Sequence, residues 1–150
     1  MKAFFAVFTL MLLSGCTQSI PAQYETKLSN LFNVCVQAPR GAEVYQQTPA
    51  DVEQISYKDA HASYEITLSH HHGDRSRFKG HMVVLRGPLD VLVLGTLPPE
   101  VGGAYVISFD SAGAVQPRGF GSIAIKSGSR ASVDDMFTFL ASWHRCGQSP

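Results

Sequence analysis

Apolar residues recur at helical spacing near the start of the chain, alternate through its middle, and return to helical spacing at its end. Tyr24, Leu28, Leu31, Phe32 and Cys35 follow one another at steps of three and four, with Glu25, Lys27 and Asn30 off that stripe. This spacing predicts a helix from Ala22, with Cys35 on its apolar face or just past its end. Pro39-Arg40-Gly41 is a stop signal. Ala42 to Gln47 has the length of a short strand. After it, Thr48-Pro49-Ala50-Asp51 reads as a cap, a first-turn proline and an acidic first turn. Residues 48–55 then admit a short helix, and residues 52–57 equally admit an extended segment.

The alternation in the middle predicts a sheet. Tyr64, Ile66 and Leu68 fall on one face of Ala62 to His70, with Glu65, Thr67 and Ser69 on the other. A polar stretch centred on Gly73-Asp74 separates it from Phe78 to Arg86, and the two are expected to form a hairpin. Gly87-Pro88 then breaks the chain before the apolar run Val91-Leu92-Val93-Leu94, which suits a strand covered on both faces. Ala104 to Asp110 and Val115 to Lys126 form a further expected hairpin. Pro117, Gly119 and Gly121 point to a bulge or an edge position there.

The last element is the plainest. Ser132 is placed as an N-cap, and Asp134 and Asp135 suit the positive end of a helix dipole. Val133, Met136, Phe137, Leu140 and Trp143 line one face, His144 and Arg145 suit the C-terminal turn, and Gly147 follows. The fold class expected is therefore α+β: an antiparallel β-sheet of about four to six strands, flanked by N-terminal and C-terminal helices that a disulfide links.

The first residues carry an address. Lys2 precedes the apolar run Ala3 to Leu13, which is too short for a membrane span of about 20 residues and suits a secretory signal peptide. It ends in Leu13-Ser14-Gly15-Cys16, which resembles the lipobox of bacterial lipoproteins. The resemblance covers residues 1–16 and implies that Cys16 is lipidated on its thiol, becomes the mature N-terminus and is then acylated, with palmitate among the fatty acids expected. Residues 1–15 are then a signal peptide, 16–21 the lipidated cysteine and a short linker, and 22–150 a single periplasmic domain. In such lipoproteins of Gram-negative bacteria an aspartate after the cysteine favours the inner membrane. Thr17 stands there instead, so the resemblance points to the periplasmic face of the outer membrane, with the outer leaflet of the cytoplasmic membrane as the alternative.

An export signal changes how the three cysteines are read. Lipidation of Cys16 leaves Cys35 and Cys146, which are expected to form a disulfide in an oxidising compartment. Formal charge is zero, from 12 basic and 12 acidic residues. There is no basic stripe for nucleic acid and no acidic tract.

Candidate chemistry is sparse. His70, His72, Asp74 and His81 are the candidate metal set, for zinc or copper, if the expected hairpin carries His81 across from His70. Gly119-Phe120-Gly121-Ser122-Ile123-Ala124 formally matches a dinucleotide loop, but Ile123-Ala124-Ile125 reads as strand where that loop needs a helix. A hydrolase would need a cleft holding His61 or His81 against a serine and an acid. The function expected is a lipid-anchored, non-catalytic binding or assembly protein with a partner in the cell envelope. The alternative is metal binding through the histidine-rich segment.

Overall fold

The computed structural model describes residues 22–70, 83–97, 103–110 and 118–148. Ten strands and one helix occur among these: β1 (Gln23–Ser29), β2 (Val34–Pro39), β3 (Glu43–Gln47), β4 (Val52–Lys58), β5 (Ser63–Ser69), β6 (Val83–Leu85), β7 (Val91–Thr96), β8 (Tyr105–Asp110), β9 (Arg118–Ile125), α1 (Val133–Ala141) and β10 (His144–Arg145). They form a seven-stranded sheet in the order β3-β4-β5-β9-β8-β7-β6 and a three-stranded sheet in the order β1-β2-β10. Every pairing is antiparallel. One buried cluster draws Leu28, Val34 and Val36 from the smaller sheet, Ile55, Ile66 and Ile107 from the larger, and Met136 and Leu140 from α1.

The expected N-terminal helix is replaced by the β1–β2 hairpin. The apparent stripe mixed residues of different origin: Tyr24 is 47 % exposed, Leu28 sits at a bulge, and Phe32 lies buried in the turn. Val34, Cys35 and Val36 are buried in succession, a run that a one-sided surface helix would not bury whole. Asn33 ends the turn at φ 54, in the left-handed region that asparagine enters at lower cost than most residues. Residues 52–58 resolve as strand, after a turn in which Ala50 takes φ 57 and the Val52 amide donates to the Pro49 carbonyl at 3.2 Å.

Two strand assignments also change. The segments Ala62–His70 and Phe78–Arg86 do not pair as a hairpin over the described residues, because β5 lies between β4 and β9 while β6 is at the far edge, bonded to β7. The β8–β9 hairpin forms as expected, but β9 is an interior strand and its glycines answer to packing. A Cβ on Gly121 would stand 1.8 Å from the Thr67 carbonyl oxygen, and one on Gly119 would run into the Phe109 ring.

Helix α1 has the expected start. The Ser132 hydroxyl accepts from the Asp135 amide at 3.1 Å, and the Asp135 carboxylate accepts from the Ser132 amide at 2.7 Å, closing a capping box. Its end comes earlier than the periodicity predicts. The chain leaves the helix at Ser142, and His144 and Arg145 pair with Cys35 and Val34 as β10. This lays Cys146 beside β2, where its amide donates to the Asn33 carbonyl at 3.1 Å and its sulfur bonds Cys35 with the Cα atoms 4.9 Å apart. The disulfide therefore joins β2 to the residue that follows β10, across 111 residues of sequence, where a link between terminal helices was expected.

Candidate functional site

Strand β4 begins and ends at carboxylates with different surroundings. Its alternation turns Glu53, Ile55 and Tyr57 inward. Glu53 is 0 % exposed. It accepts from the Ser29 hydroxyl and from the Asn30 amide, the latter at 2.9 Å. Ser29 in turn accepts from the Phe32 amide at 3.1 Å. Gln46 of β3 binds Asn30 through its amide oxygen and donates to the Leu28 carbonyl at 2.7 Å. These contacts pin the β1–β2 turn to the large sheet.

At the other end of β4 lies a cleft of about 380 Å³. Its walls are the β4–β5 turn, with Asp59 and His61, and the exposed side of α1, with Asp135, Thr138 and Phe139. Gln23 and Gln37 of the small sheet close a third side. The turn is rigid for a local reason: one Asp59 carboxylate oxygen accepts from the His61 amide at 2.8 Å and the Ala62 amide at 2.7 Å, while the other accepts from the Tyr57 hydroxyl at 2.6 Å. Tyr57, Tyr64 and Phe139 pack as three rings, with Phe139 centred 4.7 Å from each tyrosine. Phe139 alone of the three is partly exposed.

The electrostatics follow from this packing. Burial by itself would raise the Asp59 carboxyl, but the donors from Tyr57, Ala62 and His61 hold it below the usual aspartate range. Asp135 is lowered to about 2 by the Ser132 amide and hydroxyl and by His61. Burial pushes the Tyr64 phenol up to about 12, with the Asp135 and Asp59 charges adding to it. Tyr57 goes higher still, from burial and from its bond to Asp59. Two fixed negative charges thus face the cleft at neutral pH, with neutral phenols behind them.

A histidine and an acid of the cleft do meet a serine beside it. His61 Nε2 stands 3.2 Å from Asp135 Oδ2, and the Ser132 hydroxyl donates to the same oxygen at 2.7 Å. The order is wrong for nucleophilic catalysis, which needs the imidazole between serine and carboxylate to take the hydroxyl proton. Here the carboxylate stands in the middle, and the serine oxygen is occupied as a helix cap.

Of the proposed metal set, His70 lies at the end of β5, its ring centred 4.5 Å from that of Phe32. His72, Asp74 and His81 lie outside the described residues, as do Cys16 and the lipobox. The hairpin expected to carry His81 across to His70 does not form over the described strands. Among the described residues one group has ligand atoms close enough for a metal, Glu25 with Cys35 and Cys146, but the two sulfurs are joined to each other. The dinucleotide-like glycines lie in β9, and the strand runs on through Ile123-Ala124-Ile125, where such a loop would need a helix to begin. Asp59, His61 and Asp135 escaped sequence reasoning as a set, because 74 positions separate His61 from its partner. The one local signal was the Ser132–Asp135 capping pattern.

No family model matches this chain, and neither a curated protein nor a solved structure is significantly similar to it. Among the described residues no helix is long and apolar enough to cross a membrane.

Proposed function

We propose that this protein is a lipid-anchored, non-catalytic binding protein of the bacterial cell envelope, tethered through Cys16 and engaging an envelope partner through the cleft beside α1. The lipobox at Leu13 to Cys16 supports the tether. The acyl chains, at about 0.8 kcal/mol per buried methylene, make two or more of them a durable anchor. The periplasmic face of the outer membrane is the placement that Thr17 favours.

The observation that carries the binding role is the structure of the cleft. It is open, charged and held by a turn and a helix cap whose hydrogen bonds are complete without a ligand. Such a surface is preorganised, so an incoming group meets little ordering cost. Its one serine–acid–histidine grouping lacks the connectivity that activates a nucleophile.

A photo-crosslinking residue at Thr138, on the cleft wall, and another at the exposed Gln54 of β4 test this in cells. Discrete adducts from position 138 that disappear in a Cys16→Ala background, with none from position 54, are expected. The same adducts from both positions, or none from 138, would overturn the reading.

A further inference from the structure

We propose that the reduced form of this protein binds one zinc ion through Cys35, Cys146, Glu25 and His144, at the place the disulfide holds in the oxidised form. Zinc and the disulfide are then alternative cross-links that fasten the C-terminal strand to β2.

Three of the four residues already stand together. The sulfurs of Cys35 and Cys146 and a carboxylate oxygen of Glu25 all lie within 4.8 Å of one another. A tetrahedral zinc ion, with bonds of about 2.0–2.3 Å, holds its ligand atoms about 3.3–3.8 Å apart, so the group is near ligand spacing. Glu25 is oriented there by the Gly147 amide, which donates to Oε1 at 2.8 Å. Cys35 is buried while Glu25 is exposed, and the carboxylate side gives an ion its way in.

His144 gives the independent indication. It pairs directly with Cys35 across β10 and β2, and directly opposed residues of an antiparallel pair project to the same face with Cβ atoms about 4.5–5.5 Å apart. The ring is 0 % exposed. Its Nδ1 lies 3.1 Å from the Ser142 carbonyl oxygen, which can only accept, so Nδ1 carries the hydrogen and Nε2 presents its lone pair. That lone pair has no partner among the described residues, although buried polar atoms are nearly always satisfied. Trp143 Nε1 and Arg145 Nε are also unpartnered, but both are N–H donors, and only His144 offers an acceptor to a cation. An imidazole fixed by a carbonyl on one nitrogen and open on the other is the arrangement that metal-binding histidines adopt.

The charges and electrons balance. A dithiol reductant gives two electrons and two protons to the Cys35–Cys146 bond and leaves as its own disulfide, so each cysteine sulfur ends as a thiol. Zinc then displaces both thiol protons to solvent and forms two Zn–S bonds. Two thiolates and a carboxylate exceed the charge of zinc by one, and Lys27, opposite Cys35 in β1, supplies the balancing cation. Thiolate, imidazole and carboxylate together suit zinc better than copper(I), which prefers sulfur throughout.

The full chain in detergent with Cys16→Ala, so that Cys35 and Cys146 supply every thiol, tests this after reduction by a phosphine and removal of metal. By calorimetry, the reduced protein is expected to take up one zinc ion more than the oxidised protein. Cobalt(II) at that site is expected to show thiolate-to-metal charge-transfer absorption. Glu25→Gln and His144→Gln are each expected to weaken the reduction-dependent uptake at least about tenfold, since a lost ligand costs no less than a lost orienting partner. His70→Ala with His72→Ala, which disables the other candidate metal set, is expected to leave that uptake unchanged. In this last background zinc is expected to raise the denaturation midpoint of the reduced protein only. Should reduction unfold the chain, recovery of its β-sheet circular dichroism at one equivalent of zinc reads the same coupling.

Equal zinc uptake by the oxidised and reduced forms, or cobalt bound without the charge-transfer band, would overturn the site. Zinc held by a reduced chain that gains neither stability nor folded signal would do so as well. Unaltered affinity in either Glu25→Gln or His144→Gln would overturn the four-residue assignment.

Discussion

Strand β4 and the β1–β2 hairpin each run from a closed end to an open one. At the closed end Glu53 is wholly buried and bound by Ser29 and Asn30, and the Cys35–Cys146 disulfide lies close along the same hairpin. At the open end Asp59 and Asp135 are held by backbone donors yet face a cleft, and the side chains of His61 and Asp135 are 59 % and 46 % exposed. A carboxylate whose donors enclose it serves the fold. One whose donors stand behind it keeps a face for a ligand. The difference lies in which side of the group the protein occupies.

The largest expected effect is at the closed end. Reducing the disulfide, or replacing Cys146 with Ala, removes a cross-link over 111 residues. The chain-entropy relation gives about 4–5 kcal/mol for such a loop, and a denaturant titration of reduced against oxidised protein measures it. Glu53→Ala comes next. It strands the Ser29 hydroxyl and the Asn30 amide without their acceptor, at a cost of about 3 kcal/mol for a buried charged network. A loss below about 1 kcal/mol in the same titration would break the contrast between the two ends.

Acid acts on the open end. Folded Asp135 ionises near 2, below the usual aspartate value of 3.8, and Asp59 is lowered as well. Because the folded values are depressed, their stabilisation is present above about pH 4 and is lost as pH falls toward 2. Circular dichroism is expected to show α1 loosening across that window, with a smaller acid-dependent change in Asp135→Asn. The smallest effect is that of Tyr64→Phe on stability. Among the described residues no hydrogen bond reaches its hydroxyl, so stability is expected to change by no more than about 0.5 kcal/mol. A large loss of stability would make Tyr64 part of the closed architecture.

Local patterns in the sequence located several of these pieces. Tyr64, Ile66 and Leu68 alternate and are buried in β5, and Ser132 caps α1 where its spacing to Asp135 places it. Cys35 and Cys146 pair as the count of cysteines implied. What escaped depends on contacts distant in sequence. The β1–β2 hairpin looked helical because a bulge at Leu28 and a buried turn residue, Phe32, reproduced helical spacing. The helix stops before His144 because the strand partner of His144 is Cys35. Nothing near Glu53 announces burial, since its donors come from Ser29 at the end of β1 and Asn30 in the turn after it. Likewise, His61 meets Asp135 only once α1 packs over the β4–β5 turn.

In the proposed function, placement at a membrane brings the cleft to its partner, and that placement would rest on the thiol of Cys16. Metabolic labelling with palmitate, followed by fractionation of wild type and Cys16→Ala, tests it most directly. Labelled wild-type protein in the envelope fraction is expected, with Cys16→Ala unlabelled and released into the soluble fraction. An unlabelled wild type, or a Cys16→Ala protein that stays with the envelope, would contradict a lipid-tethered function.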